Sequence, residues 1–211
     1  MAYDTDSDSD SSVQLDSDAG APPSLGDQVK NWAYNKMGQQ VGDGECFALA
    51  DQALTSNGAK TASDFGTVTA NADYTWGTSV ATLADALPGD IIQFRNYKVE
   101  TTTTTVTTTT TKSSDGGTSV NTQTSTQTQS LGRPHHTAII WSTSGGGVVN
   151  VLEQNVDPGK KTVQNNVLNF SDSSTSSSDV SQPDPSTTVK TDTTVTIKVT
   201  GTKWIYRPVK K

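Results

Sequence analysis

Cysteine is almost missing from this chain: 211 residues contain one, Cys46. No internal disulfide can form, so the sequence carries no mark of an oxidising compartment. Histidine is nearly as scarce, with only His135 and His136. Hydrophobic residues make up 31%, well below the usual globular share, and aromatic residues 6%. No run reaches the roughly 18 apolar residues that a membrane helix needs, so no membrane span is expected. The opening MAYDTDSDSD has neither a basic start nor an apolar stretch, so no conventional signal peptide is expected either. That pattern fits a cytoplasmic chain, or one exported by a non-classical route or by lysis. Positive charge is in deficit too. A net charge of −7 argues against nucleic acid and anionic membranes as partners.

The hydrophobic shortfall is concentrated in three segments. Residues 1–23 form an acidic Asp/Ser head with six aspartates before residue 19, and they read as a disordered tail. Residues 98–132, with TTTTTVTTTTTK, and residues 171–188, rich in Ser, Asp and Pro, read as inserts. Without these segments about 130 residues remain, near the commonest single-domain size. Residues 24–211 therefore read as one domain carrying two inserts. Threonine favours strands and SSDGGTS carries an Asp-Gly turn signal, so the first insert reads as a polar β-hairpin arm. A disordered insert is the competing reading.

Periodicity supplies the remaining elements. Leu25, Val29, Trp32, Ala33 and Met37 share one face of a helix over 25–37. Cys46, Leu49, Ala50, Ala53 and Leu54 repeat at helical spacing over 45–57, with Asp43 as a candidate cap and Asn57-Gly58 as the stop. Strands follow at about 90–97, 135–141, 148–155 and 163–170, and TTVTIKVTG and KWIYRPV close the chain as strands. Two helices followed by antiparallel strands predict an α+β domain, with N-terminal helices packed on an antiparallel sheet and polar β-hairpin inserts.

Cys46 falls in the first turn of its helix. Unpaired N–H groups and the helix dipole there stabilise a thiolate, while Glu45 works weakly against it. A reactive thiol needs a base, and only the two histidines offer one. Neighbours on a strand face opposite ways, so one of them faces the helices, and the residues alone do not choose. Glu153 and Asn155 are spaced by two and share a face, with Gln154 on the other. A carboxylate or carboxamide beside a histidine fixes its tautomer. Nucleophile, base and orienter are the parts that nucleophilic catalysis requires.

In order, GDGECFALA, LPGDIIQF, HHTAII and VLEQN resemble the CHAP domain, a cysteine, histidine-dependent amidohydrolase/peptidase of the papain-like NlpC type. They match its Cys helix, its Pro-Gly-Asp turn into the first strand, its His-x-Ala strand and its Glu-x-Asn pair. The resemblance implies Cys46 as nucleophile, His136 as base in the His-x-Ala position, and Glu153 and Asn155 as the polar pair. Gln40, six residues before Cys46, resembles the oxyanion glutamine of papain-like peptidases. The implied substrate is peptidoglycan, cut at a sugar–peptide amide or within its peptides. No metal or other cofactor is implied. Phe47, where the family has a small polar residue, and the two inserts depart from the pattern and put substrate choice in doubt. Two other readings stay open: a non-catalytic binding or structural module with the hairpin as its working part, and a papain-fold hydrolase of a non-peptidoglycan amide. Oligomeric state is not legible.

Overall fold

The computed structural model describes residues 22–70, 72–156 and 161–211; the acidic head expected over 1–23 lies almost wholly outside the described residues. Helix α1, Leu25–Tyr34, begins where Ser24 Oγ accepts the Asp27 N–H at 3.1 Å, and it buries Val29 and Ala33, one turn apart. It stops three residues before its expected end, because a turn at Asn35–Lys36 leads through Met37, bridged to Val163, into Gly38 at φ +75°. Helix α2, Cys46–Ser56, buries Leu49, Ala50, Ala53 and Leu54. Asp43 does not cap it. Its Oδ1 accepts the Glu45 N–H at 3.0 Å, which shapes the preceding loop instead.

The strands are β1 Thr78–Val80, β2 Ile91–Lys112, β3 Thr118–Thr143, β4 Val148–Glu153, β5 Gln164–Asn169, β6 Ser173–Asp184 and β7 Thr187–Arg207. They form one antiparallel sheet in the order β1-β7-β2-β3-β4-β5, with β6 also paired to β7. This corrects the expected fold class. The described residues form a sheet-dominated, seven-stranded fold with two α-helices, not a set of helices packed on a sheet. The segments read as inserts are the cause. Thr-rich residues continue β2 and β3 without a break, the Ser-rich segment becomes β6, and the two closing strands are one strand, β7. β-branched threonine loses little by lying in a pleated sheet, so these segments extend the sheet.

Alternation along the strands divides the core. Ile91, Ile139 and Leu152 join Val29, Leu49, Leu54 and Trp76 on one face. Ile92, Phe94, Ala138, Ile140 and Val151 form the opposite cluster. Each fully buried isoleucine contributes about 1.5–3 kcal/mol. The sheet curls around the second cluster. Tyr97 Oη on β2 donates to the Asn169 carbonyl at the end of β5 (2.8 Å), across two intervening strands.

At the base of the arm the β2–β7 register shifts between Arg95 and Lys98, with Asn96 at φ +52° and Gly201 at φ +84°. A Cβ at 201 would lie 2.2 Å from the Asn96 carbonyl oxygen, so glycine is required there. Beyond this irregularity β6, β7, β2 and β3 run on as a polar single-layer arm, closed by a turn in which Ser113 N–H donates to the Gly117 carbonyl (2.9 Å). Among the described residues no helix is long and apolar enough to cross a membrane.

Candidate active site

The site forms where two strands part. β3 and β4 pair only from Ile139 and Leu152 onward, so their ends at Thr137 and Gln154 are separate. Ile140 N–H donates inward to the Asp90 carbonyl (2.8 Å). By alternation, Thr137 N–H points the other way, into the gap. The start of α2 fills that gap. Gln154, fully buried, grips the loop before it: Nε2 donates to the carbonyls of Val41 (3.0 Å) and Glu45 (2.6 Å), and Oε1 accepts the Val41 N–H (3.2 Å).

Cys46 is thereby held against β3 and within hydrogen-bond reach of the His136 ring. Burial pushes its thiol up, but the bond and charge of His136, with the N–H groups of Thr137 and Phe47, outweigh this and leave it below the usual thiol range. His136 Nε2 lies 2.9 Å from Glu153 Oε2, an off-axis ion pair and not an aligned hydrogen bond, which leaves Nδ1 for the Cys46 sulfur. Burial alone would lower the His136 pKa. Contacts with Cys46 and Glu153 raise it to about 9.

Glu153 is fully buried at the end of β4. Oε2 accepts from Arg133 Nε (3.0 Å), and Oε1 from Arg133 Nη2 (2.6 Å) and Asn166 Nδ2 (2.9 Å). Burial would raise its carboxyl, but His136 and Arg133 together bring it down to about 2. Arginine, glutamate, imidazolium and thiolate thus alternate in sign, and a chain of alternating charges is the arrangement that tolerates burial.

Cys46, His136 and Glu153 are therefore brought together. His135 is directed elsewhere: its Nε2 donates to the Ala72 carbonyl (2.6 Å), and its ring meets Tyr74 edge-on. Asn155 does not join Glu153, a correction to the expected shared face. The strand ends at Glu153 and Asn155 takes φ +61°, so alternation stops and its Nδ2 donates to Glu45 Oε2. Gln40 is exposed, and its Nε2 donates to the Gly42 carbonyl (3.2 Å). Arg133, Gln154 and Asn166 were not anticipated. The only sequence signal was a polar Gln inside an apolar strand end, and an Arg three residues before His136.

The thiol opens on a cleft of about 530 Å³ lined by Glu45, Phe47, Tyr74, Pro134 and Asn155, among others. Phe47 packs against Tyr74 and Trp76, which explains an aromatic residue after the cysteine. Among the described residues no group of three or more His, Cys, Asp or Glu could hold a metal ion. The arrangement sets a thiol, an imidazole and a buried carboxylate in sequence beside an open cleft, the groups that nucleophilic catalysis uses.

A family model described as the AIM3/BBC1 Cysteine proteinase-fold domain matches residues 19–176. No curated protein and no solved structure matches the chain.

Proposed function

The chain belongs to the AIM3/BBC1 cysteine proteinase-fold domain family, and from that premise we propose that it is a thiol-dependent amidohydrolase or endopeptidase. The observation that carries this reading is Cys46 bonded to an imidazole whose other nitrogen lies 2.9 Å from a buried carboxylate. Cys46 Sγ attacks the amide carbonyl carbon. His136 gives its proton to the leaving amine as the C–N bond breaks, which leaves a thioester. Water then attacks the thioester and passes a proton to His136 Nδ1. The acid departs and the thiolate–imidazolium pair returns. Glu153 is a positioning residue that holds the ring and its charge. The backbone N–H of Cys46 receives the oxyanion, and Gln40 joins it on swinging away from the Gly42 carbonyl.

The ordered motifs that resemble CHAP modules support peptidoglycan as the amide source, cut at the sugar–peptide bond or within its peptides. Other peptide amides are the second candidate. The test is the rate of iodoacetamide alkylation at Cys46 against pH, in wild type and His136→Ala. An apparent pKa well below the reference of about 8.5, lost in the variant, is expected. Slow alkylation with an ordinary pH dependence in both proteins would favour a non-catalytic module. Assays on purified sacculi and on peptide amides then separate the two substrate classes.

A further inference from the structure

The outer edge of β3 has no strand partner among the described residues from Thr118 until β4 joins it at Ile139. Its backbone directions follow from the turn. Ser113 N–H bonds the Gly117 carbonyl, so odd-numbered residues of the arm segment of β3 bond inward to β2. The N–H and C=O groups of Thr118, Val120, Thr122, Thr124, Thr126 and Thr128 therefore face outward. This stretch is exposed throughout. Gln129–Leu131 lie differently, in a groove shared with Val167–Asn169 of β5, so the open edge ends at Thr128.

Sheet proteins usually blunt such edges with charge, proline or bulges. The other edge of this arm is treated that way: β6 carries Asp179, Asp184 and Pro183, and its register shifts between Ser181 and Asp184. On β3, residues 118–128 contain no charge and no proline, and their pairing with β2 is unbroken.

We propose that this edge pairs with the same edge of a second copy, antiparallel about a two-fold axis at Gln123. Such a contact is isologous, so it closes at two chains. It sets Thr118 opposite the second copy's Thr128, Val120 opposite Thr126 and Thr122 opposite Thr124, and forms about twelve backbone hydrogen bonds. Threonine pairs across strands are favourable, and no like charges meet. A peptide ligand fits less well, because strand addition takes its specificity from side-chain pockets, and residues 118–128 stand exposed throughout. A chain with a net charge of −7 meets its own copy here along a neutral strip.

Sedimentation velocity of the full chain over about a hundredfold range of concentration tests this, since self-association follows mass action. Wild type is expected to pass from monomer to dimer. The double variant Thr122→Lys/Thr124→Lys, which opposes lysines directly, is expected to weaken the dimer at least about tenfold, and Ser176→Lys on β6 is expected to leave it unchanged. A second variant guards against a misfolded arm: Gln123→Cys with Cys46→Ser should form a disulfide-linked dimer under mild oxidation, because facing residues at a non-hydrogen-bonded position lie about 4.5 Å apart. A wild type that stays monomeric, an association that survives the double lysine variant, or open-ended fibres would each overturn the proposal.

Discussion

Replacing Arg133 with methionine should cost far more than its distance from the thiol suggests. Arg133 makes two of the contacts on Glu153, at 3.0 and 2.6 Å, and its side chain is 6% exposed against 0% for the carboxylate. Removing one partner of such a buried pair leaves an under-compensated charge and costs about 3–5 kcal/mol. In a chain of this size each kcal/mol lowers Tm by about 2–4 °C, so the expected fall is about 6–20 °C. The assay is thermal unfolding by circular dichroism near pH 6. A pH series adds a signature. Glu153 has a pKa of about 2 in the fold against an ordinary 4.5, so its contribution is complete above 4.5 and is lost as pH falls toward 2. Without Arg133 the carboxyl rises, and the acid loss becomes smaller and begins from a shorter window. Arg133→Met/Glu153→Gln should cost less than the two single variants together, because the orphaned charge is gone. A Tm within about 2 °C of wild type for Arg133→Met, or strict additivity in the double variant, would refute the argument.

Three further outcomes follow from the same geometry. His136 titrates at about 9 against an ordinary 6.5, so the stability it adds is complete below 6.5 and lost as pH rises through 9; His136→Ala should flatten that alkaline limb in denaturant titrations. Gln154→Ala removes three hydrogen bonds to the loop before α2, two of them buried, and should cost about 2–4 kcal/mol, with Cys46 alkylation moving toward ordinary thiol behaviour. Gly89→Ala should be among the most damaging small changes, at about 2 kcal/mol or more by chemical denaturation: φ is +89° and a Cβ would lie 2.0 Å from the Gly26 carbonyl oxygen.

Cys46, His136 and Glu153 were legible because their chemistry is rare in this chain and falls in a recognisable order. Arg133 was not, and the reason is local. Counting by twos from His136 puts position 133 on the opposite face, yet both side chains reach Glu153. The alternation slips across Asn96, at φ +52°, and the facing Pro134. Phe94 and Tyr97, three apart on β2, accordingly sit in one cluster. Asn155 failed by the same kind of event, a single left-handed residue ending a strand early. The weight of the sheet was hidden differently. Threonine repeats announce β structure, but the pairing of Thr101–Thr111 with Thr187–Ile197 joins segments far apart in the chain, and no local pattern encodes that partner.

One strand edge explains why the site lies where it does. The outer side of β3 is paired to β4 at Ile139, donates to the Cys46 sulfur at Thr137, and has no strand partner among the described residues from Thr128 to the turn. Had β4 continued its register for two more residues, Gln154 would stand opposite Thr137 and its backbone would take that N–H. The thiolate would then lose a donor and α2 its berth. Ending the ladder at Leu152 and Glu153 frees the Gln154 side chain to hold the Val41–Glu45 loop, and aims the Glu153 carboxylate at His136 and Arg133. Extending the β3–β4 pairing by design should therefore return Cys46 alkylation to ordinary thiol behaviour, because reactivity here depends on backbone groups the sheet leaves unpaired.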